Sequence, residues 1–167
     1  MKSTLKLMTL FLAIFLMSCG GEEKKDVKKK VQLKKQTTEQ IVTLKSEKIP
    51  ASKKIDLTNK GVGPISSVTL GAEIDQAMAT HGAEVYKKMC TACHRPNKKF
   101  VGPAPLGILK RRTPEWIMNM ILDPEGMVSN DPLAKELLIE FNGSPMANQS
   151  LTEEETRAIL EYFRTLK

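Results

Sequence analysis

The chain has 167 residues, with 26 lysine or arginine side chains against 19 acidic ones, and its formal net charge is +7. This length allows one domain with a tail and excludes a multidomain protein, and no apolar run reaches the roughly 18 residues of a membrane-spanning helix. Three cysteines leave one over in any pairing, which excludes a disulfide scaffold.

The first eighteen residues are typical of an export signal. Lys2 and Lys6 precede an apolar stretch over residues 7–17, which is too short to cross a bilayer. The sequence Leu-Met-Ser-Cys that ends at Cys19 resembles a bacterial lipobox, in which the cysteine becomes the lipidated first residue of the mature protein. We therefore predict a lipoprotein signal peptide over residues 1–18 and a lipid anchor at Cys19, because two or more acyl chains hold a protein stably at a membrane.

Residues 19–60 have the composition of a basic, flexible tether. Residues 20–60 hold twelve lysines and six acidic residues but no Phe, Trp, Tyr or Met, so we expect them to form no packed core. Residues 61–76 are less polar, and we expect them to lie as an extended arm along the folded domain. The domain itself is predicted to cover residues 77–167.

The pattern of this domain is helical. Apolar side chains recur at spacings of three and four over residues 78–89, which predicts a first helix. The segments that begin at Thr113 and Asp131 each have an N-cap followed by a proline, and each predicts a further helix. Thr152 begins a capping box ahead of a last helix with an apolar stripe. No segment alternates with a period of two, so we predict an all-α fold of about four short helices.

The segment Cys90-Thr91-Ala92-Cys93-His94 is the attachment signal of a c-type haem. Two thiols three positions apart can add to two vinyl groups along one porphyrin edge, and the adjacent histidine then places an imidazole nitrogen on the iron. The domain is small and aromatics make up only 5% of the chain, so a cofactor is expected to complete the core. A thioredoxin-like dithiol would need a βαβ pattern, and a structural zinc site would need a fourth ligand, for which the only other Cys or His candidates are Cys19, which is predicted to carry lipid, and His81.

With this motif near its N-terminal end, the segment from Gly82 to the C-terminus resembles a small class I cytochrome c. Gly82 and Tyr86 match the small and aromatic residues at which the first helix of the family crosses its last. Tyr162 and Phe163 match the partners on that last helix. The resemblance implies one covalent haem c wrapped by the helices, in a chain that acts as a monomer.

The resemblance also implies how the iron is held. Gly102-Pro103 matches the loop after the motif, where the proline carbonyl accepts a hydrogen bond from Nδ1 of the axial imidazole, here His94. The family carries its second axial ligand, a methionine, in an irregular loop before the last helix, which corresponds to Met146. A methionine ligand raises the reduction potential. In this chain Pro145 precedes Met146, whereas the family commonly has Met-Pro.

Two other side chains are alternatives for that second ligand. Met127 lies in an expected turn, after the predicted helix stop at Asp123-Pro124, and His81 is expected on the surface of the first helix. Met146 is favoured because a loop can bring its side chain to the iron from the face opposite His94. Two methionines inside the second predicted helix are expected to pack in the core, namely Met118 and Met120. Three side chains are candidates for contacts with the haem propionates, namely Arg111, Arg112 and Trp116.

Filled axial positions leave no open site for a substrate, so the resemblance implies a one-electron carrier rather than an enzyme. The expected partners are redox proteins outside the cytoplasmic membrane: a quinol-oxidising complex as donor, and a terminal oxidase or a periplasmic reductase as acceptor. The alternatives are a haem-based enzyme or gas-binding protein with a labile sixth ligand, and a non-haem lipoprotein in which Cys90, Cys93 and His94 hold zinc or a disulfide.

The charge is distributed unevenly along the chain. Residues 20–60 hold +6 and the final 91 residues only +1, so the basic composition does not indicate nucleic-acid binding. Within the domain, residues 84–112 carry eight basic side chains and one acidic one, and residues 113–167 carry four basic and ten acidic ones. In a class I fold the first segment surrounds the exposed haem edge, so we expect it to steer acidic partners there.

Overall fold

The structure is a computed structural model that describes residues 49–167, and within this range it has five α-helices and no strand. The helices are α1 (Gln76–Met89), α2 (Pro114–Leu122), α3 (Pro124–Asn130), α4 (Pro132–Glu140) and α5 (Glu153–Thr165), with 3-10 turns at Ala51–Lys53 and Ile108–Lys110. The predicted all-α fold class is confirmed. Within the same range no helix combines the length and the apolarity needed to cross a bilayer. The predicted signal peptide, Cys19 and residues 20–48 of the predicted tether lie outside the described residues.

The predicted helix starts are present in the structure, and each is capped by a side chain. The hydroxyl of Thr113 accepts a hydrogen bond from the backbone N–H of Trp116 at the start of α2. Thr152 and Glu155 bond each other's backbone N–H groups at the start of α5, which is a complete capping box. These caps satisfy N–H groups that have no partner inside the helix, so local sequence alone determines where the helices begin.

Helix α3 differs from the prediction, which placed a helix stop at Asp123-Pro124 and a turn around Met127. In the structure a new helix begins there, because the carboxylate of Asp123 accepts a hydrogen bond from the N–H of Gly126 at 2.9 Å. Pro124 takes the first helical position, where its missing N–H costs nothing. The same cap-and-proline pattern that predicts α2 and α4 is therefore also present at α3, and the domain has five helices rather than about four.

Helices α1 and α5 cross at Gly82. A Cβ atom at this position would overlap the carbonyl group of Ala158 and lie 2.8 Å from the backbone nitrogen of Ile159. Only glycine therefore allows the two backbones to approach so closely. The ring of Tyr86 lies beside the crossing, with its centroid 5.3 Å from that of Tyr162 and 5.7 Å from that of Phe163. The residues that carried the resemblance thus meet at one helix crossing.

The packed part of the chain begins earlier in the sequence than predicted, because the segment before α1 also packs against the helices. The predicted tether ended at residue 60, but Ala51 is buried, and the guanidinium of Arg112 donates to its carbonyl oxygen at 2.7 Å. Both the backbone N–H and the hydroxyl of Ser52 donate to the carboxylate of Glu140. Residues 49–60 therefore belong to the folded unit, and the boundary predicted at residue 60 is corrected.

Residues 61–75 form no helix or strand, and a buried side-chain amide of α2 holds them against the helices. The side chain of Asn119, which is 1% exposed, accepts from the N–H of Ile65 and donates to the carbonyl oxygens of Ile65 and Lys60, all at 2.9–3.0 Å. Backbone groups of an extended segment need such partners when no sheet is present. One side chain from α2 therefore supplies what a neighbouring strand would otherwise provide.

A buried carboxylate joins the start of α1 to α5. Glu161 is 1% exposed, and its carboxylate accepts from the N–H of Asp75 at 2.9 Å, from Arg157 at 2.7 Å and from Arg164 at 2.6 Å. Burial alone would raise the pKa of Glu161, but these hydrogen bonds and the two guanidinium charges outweigh burial and hold its pKa below the ordinary value. The carboxylate therefore stays ionised at neutral pH.

Candidate cofactor site

An apolar pocket lies inside the helical core, bordered by residues of all five helices and of the loops between them. Its walls include the motif cysteines and histidine on one loop and Met146 on another. Large apolar side chains from the helices line the rest, among them Met89, Trp116, Ile121, Leu137, Phe141 and Phe163. The core is thus built around a space, as expected of a small domain that needs a cofactor to complete it.

The motif forms a tight turn at the end of α1. Cys90 caps the helix through its N–H to the carbonyl oxygen of Tyr86, and its own carbonyl oxygen accepts from the N–H groups of Cys93 and His94 at 3.1 and 2.9 Å. This turn places both thiols and the imidazole on one wall of the pocket. Cys90 and Cys93 are not joined in a disulfide; for the unattached thiol, burial, with the nearby Cys93 adding to it, raises the pKa of Cys90 to about 11.

The imidazole of His94 is held in a defined orientation. Its Nδ1 lies 2.8 Å from the carbonyl oxygen of Pro103, the contact that the resemblance implies. A Cβ atom on Gly102 would lie 2.5 Å from Cε1 and 2.9 Å from Nδ1 of the ring, so the loop can lie flat against the imidazole only with glycine there. The Pro103 contact leaves Nε2 as the ring nitrogen for a metal and increases its basicity.

The structure brings Met146 to the same pocket as His94. Met146 is half-buried, packs against the core and lines the pocket together with its loop neighbours Pro145 and Ala147. The alternative ligands are placed elsewhere. Met127 is fully buried in α3 and is not one of the residues that line the pocket, and its sulfur accepts from the N–H of Val62 at 3.1 Å. His81 is exposed on α1.

Met120 and Ser52 are among the pocket residues that were not predicted as part of the site. Met120 was expected to pack in the core, yet its half-buried side chain lines the pocket from α2. The spacing of three and four from Ile117 and Trp116, which also line the pocket, could have indicated this. Ser52 also lines it, and no local signal indicated that, because it lies in a lysine-rich stretch.

The three candidates for propionate contacts all line the pocket but differ in what they already bind. The indole N–H of Trp116 donates to Asp131 at 3.2 Å. The guanidinium of Arg112 is 3% exposed and donates to three backbone carbonyl oxygens, those of Ala51, Lys54 and Arg111. Within residues 49–167, only one nitrogen of Arg111 donates, to carbonyl oxygens of its own loop. Arg111 therefore remains the candidate with the most unused donors.

The residues present fit a covalently bound haem. Two free thiols, an oriented imidazole and a thioether meet in a space with apolar walls, which is the donor set of a His/Met haem c. The hydroxyl of Tyr86 is buried against this space without a hydrogen-bond partner, and burial raises its pKa to about 12. For the zinc alternative, residues 49–167 provide no group of three or more His, Cys, Asp or Glu side chains placed to share a metal ion.

Comparison with known proteins agrees with this geometry. The family model described as Cytochrome c matches residues 79–167. A solved cytochrome c from Rhodothermus marinus is 41% identical, with a TM-score of 0.61, and the match covers 70% of this chain and 93% of that one. An engineered form of it, Rma TDE, is 40% identical with a TM-score of 0.60 over 70% and 94% of the two chains. The same engineered protein bound to a carbene intermediate is 40% identical with a TM-score of 0.58, again over 70% and 94%. The search of curated proteins found no match.

Proposed function

Since this chain belongs to the cytochrome c family, we propose that it is a membrane-tethered carrier of single electrons between respiratory redox proteins outside the cytoplasm. It is a class I c-type cytochrome with haem c bound covalently through Cys90 and Cys93. Haem c supplies the one-electron iron couple.

The placement of His94 and Met146 on the walls of one pocket carries the proposal. His94 is oriented by Pro103, and Met146 is brought in by a separate loop, so two donors border the space that a haem would occupy. An iron with both axial positions filled has no vacant site for a substrate, which favours electron transfer over catalysis. The experiment that tests this ligand pair is the replacement of Met146, described in the Discussion.

The surface beside the motif supports docking of a partner at this edge. Cys93 is exposed, and so are Phe100 and Val101, which are 47% and 41% accessible. The guanidinium of Arg95 lies 4.2 Å from the ring centroid of Phe100. Lys98 is exposed in the same loop. A small apolar patch bordered by cations suits weak, fast association with an acidic protein that approaches the cofactor edge.

We expect electron transfer with a small acidic redox protein to slow as ionic strength rises, because salt screens the attraction between the two surfaces. Lys98→Glu should lower the second-order rate constant at low salt by roughly tenfold, since it places a like charge at the docking edge. Stopped-flow absorbance measures both effects.

Lys135→Glu is the matched control, an exposed lysine in the acidic half of the domain whose reversal should change the rate much less. A neutral small-molecule oxidant should react equally with all three proteins. Rates that are independent of salt and equal in both variants would contradict docking at this edge.

The proposed tether rests on the sequence around Cys19. The intact protein should sediment with membranes and incorporate a labelled fatty acid, whereas Cys19→Ser should appear in the soluble extracytoplasmic fraction with an unchanged visible spectrum. Fractionation and acyl labelling distinguish the two. An intact protein that is soluble and unlabelled would contradict the lipid anchor and leave the electron-transfer proposal standing.

A site reactive toward small molecules is the second candidate. One observation favours it: an engineered relative, 40% identical to this chain, holds a carbene intermediate. In this chain such reactivity would require Met146 to leave the iron. Binding of carbon monoxide to the reduced protein at neutral pH separates the two functions, since a firmly bound methionine excludes the gas.

A further inference from the structure

The loop that carries Met146 connects α4 to α5 and has no regular structure over residues 144–151. In the described part of the chain, no hydrogen bond between backbone groups involves residues 145–151. The position of this loop therefore depends on side chains and on packing, and not on a backbone ladder.

One side chain of the loop reaches another element. Nδ2 of Asn148 donates to the carbonyl oxygen of Leu122 at 3.1 Å, and within residues 49–167 no other hydrogen bond links residues 145–151 to a helix. Leu122 is the last residue of α2, whose final carbonyl groups have no partner inside the helix. The contact thus satisfies a helix end and anchors the loop at the same time.

The other end of the same amide stabilises the loop internally. Oδ1 of Asn148 accepts from the N–H of Ser150 at 2.7 Å. Ser150 has a φ of +54°, a left-handed conformation that serine adopts at a cost. The remaining side-chain bond, from Gln149 to the carbonyl oxygen of Ala147 at 3.3 Å, stays within the loop. Asn148 therefore joins the turn after Met146 to the body of the domain.

We propose that Asn148 is a positioning residue: its bond to Leu122 keeps the loop closed over the pocket and so sets how easily an external ligand replaces Met146 at the iron. This inference rests on the proposed ligation by His94 and Met146. Replacement of Met146 requires the loop to move away, and the Asn148–Leu122 bond exists only while it is closed. The free energy of this hydrogen bond therefore stabilises the closed loop relative to the displaced loop.

The test uses the oxidised, full-length holoprotein and imidazole as the competing ligand, followed by the Soret shift and by loss of the near-infrared thioether-to-iron band. Asn148→Ala should bind imidazole roughly two- to tenfold more tightly than the unmodified protein, the range expected from losing the exposed hydrogen bond to Leu122, which exists only in the closed loop. Without imidazole the variant should keep the near-infrared band, because packing still holds Met146 near the iron.

Two further variants identify which bond matters. Asn148→Asp keeps an acceptor for the N–H of Ser150, loses the donor to Leu122 and places a negative charge at the C-terminus of α2, so its imidazole affinity should rise at least as much as that of Asn148→Ala. Asn130→Ala is the matched control, because it removes an exposed asparagine whose Nδ2 donates to the carbonyl oxygen of Gly126 at 2.9 Å in α3. Its imidazole affinity should be unchanged.

Imidazole affinities of Asn148→Ala and Asn148→Asp that equal that of the unmodified protein would overturn the proposal, as would an equal rise in Asn130→Ala. A rise in Asn148→Ala alone would assign the effect to the Ser150 turn and overturn the role of Leu122. Met146→Ala separates this from the proposed function. If that variant keeps the near-infrared band, Met146 is not the ligand; if it loses the band while the Asn148 variants behave as the unmodified protein, only the role of Asn148 fails.

Discussion

Replacement of Met146 by alanine is expected to abolish the near-infrared thioether-to-iron band of the oxidised protein and to lower its reduction potential by on the order of 0.1 V or more. A thioether favours Fe(II), and apart from Cys90, Cys93 and His94 of the motif, no other loop residue within residues 49–167 that lines the pocket carries sulfur or imidazole. Near-infrared absorption and a redox titration measure the two effects.

Met127→Leu is the matched control for this prediction. Met127 is fully buried, and its sulfur accepts from the N–H of Val62. The near-isosteric change should lower the free energy of unfolding by about 1 kcal/mol. It should leave the near-infrared band and the reduction potential unchanged. Reduced Met146→Ala should also bind carbon monoxide at neutral pH, whereas the unmodified protein should not. An unchanged band in Met146→Ala would refute the ligand assignment, and carbon monoxide binding by the unmodified protein would favour the gas-binding alternative.

Substitution of Gly82 by alanine is expected to lower the free energy of unfolding by about 3 kcal/mol or more, because the added methyl group would overlap the Ala158 carbonyl. The clash is with backbone atoms, and no flexible side chain can move aside. The helices α1 and α5 would have to separate, which would also displace Tyr86 from Tyr162 and Phe163. Urea unfolding of the holoprotein, followed by circular dichroism, measures the loss.

The matched control is a glycine at which an added Cβ atom would meet no close neighbour. A Cβ atom on Gly71 would lie 3.5 Å from the nearest atom, the carbonyl oxygen of Glu73, and its backbone is not in the left-handed region, so Gly71→Ala should change stability by less than about 0.5 kcal/mol. Equal stability of Gly82→Ala and the unmodified protein would show that the helix crossing tolerates a wider separation than the structure has.

Local chemistry explains what could be predicted before the structure. Several signals act within one or two helical turns and can therefore be recognised in the sequence alone. They are the Cys-x-x-Cys-His segment, the apolar periodicity and the caps at Thr113, Asp131 and Thr152. The N-cap at Asp123 has the same local pattern, but the prediction treated Asp123-Pro124 as the end of one helix and so missed the start of α3. These signals suffice for the helices, the all-α class and the cofactor.

The sequence by itself determined the cofactor, the helices and the loop on which Met146 lies. The tertiary structure decided where the folded unit begins, which methionines line the pocket, and what Trp116 and Arg112 bind. These outcomes rest on contacts between distant residues, such as Ser52 with Glu140, 88 positions apart, and Asn119 with Ile65, 54 positions apart. A lysine-rich segment looks like a tether in isolation. It becomes part of the domain because polar side chains bond its backbone groups, namely Glu140 and Asn119 on helices and Arg112 in the loop before α2.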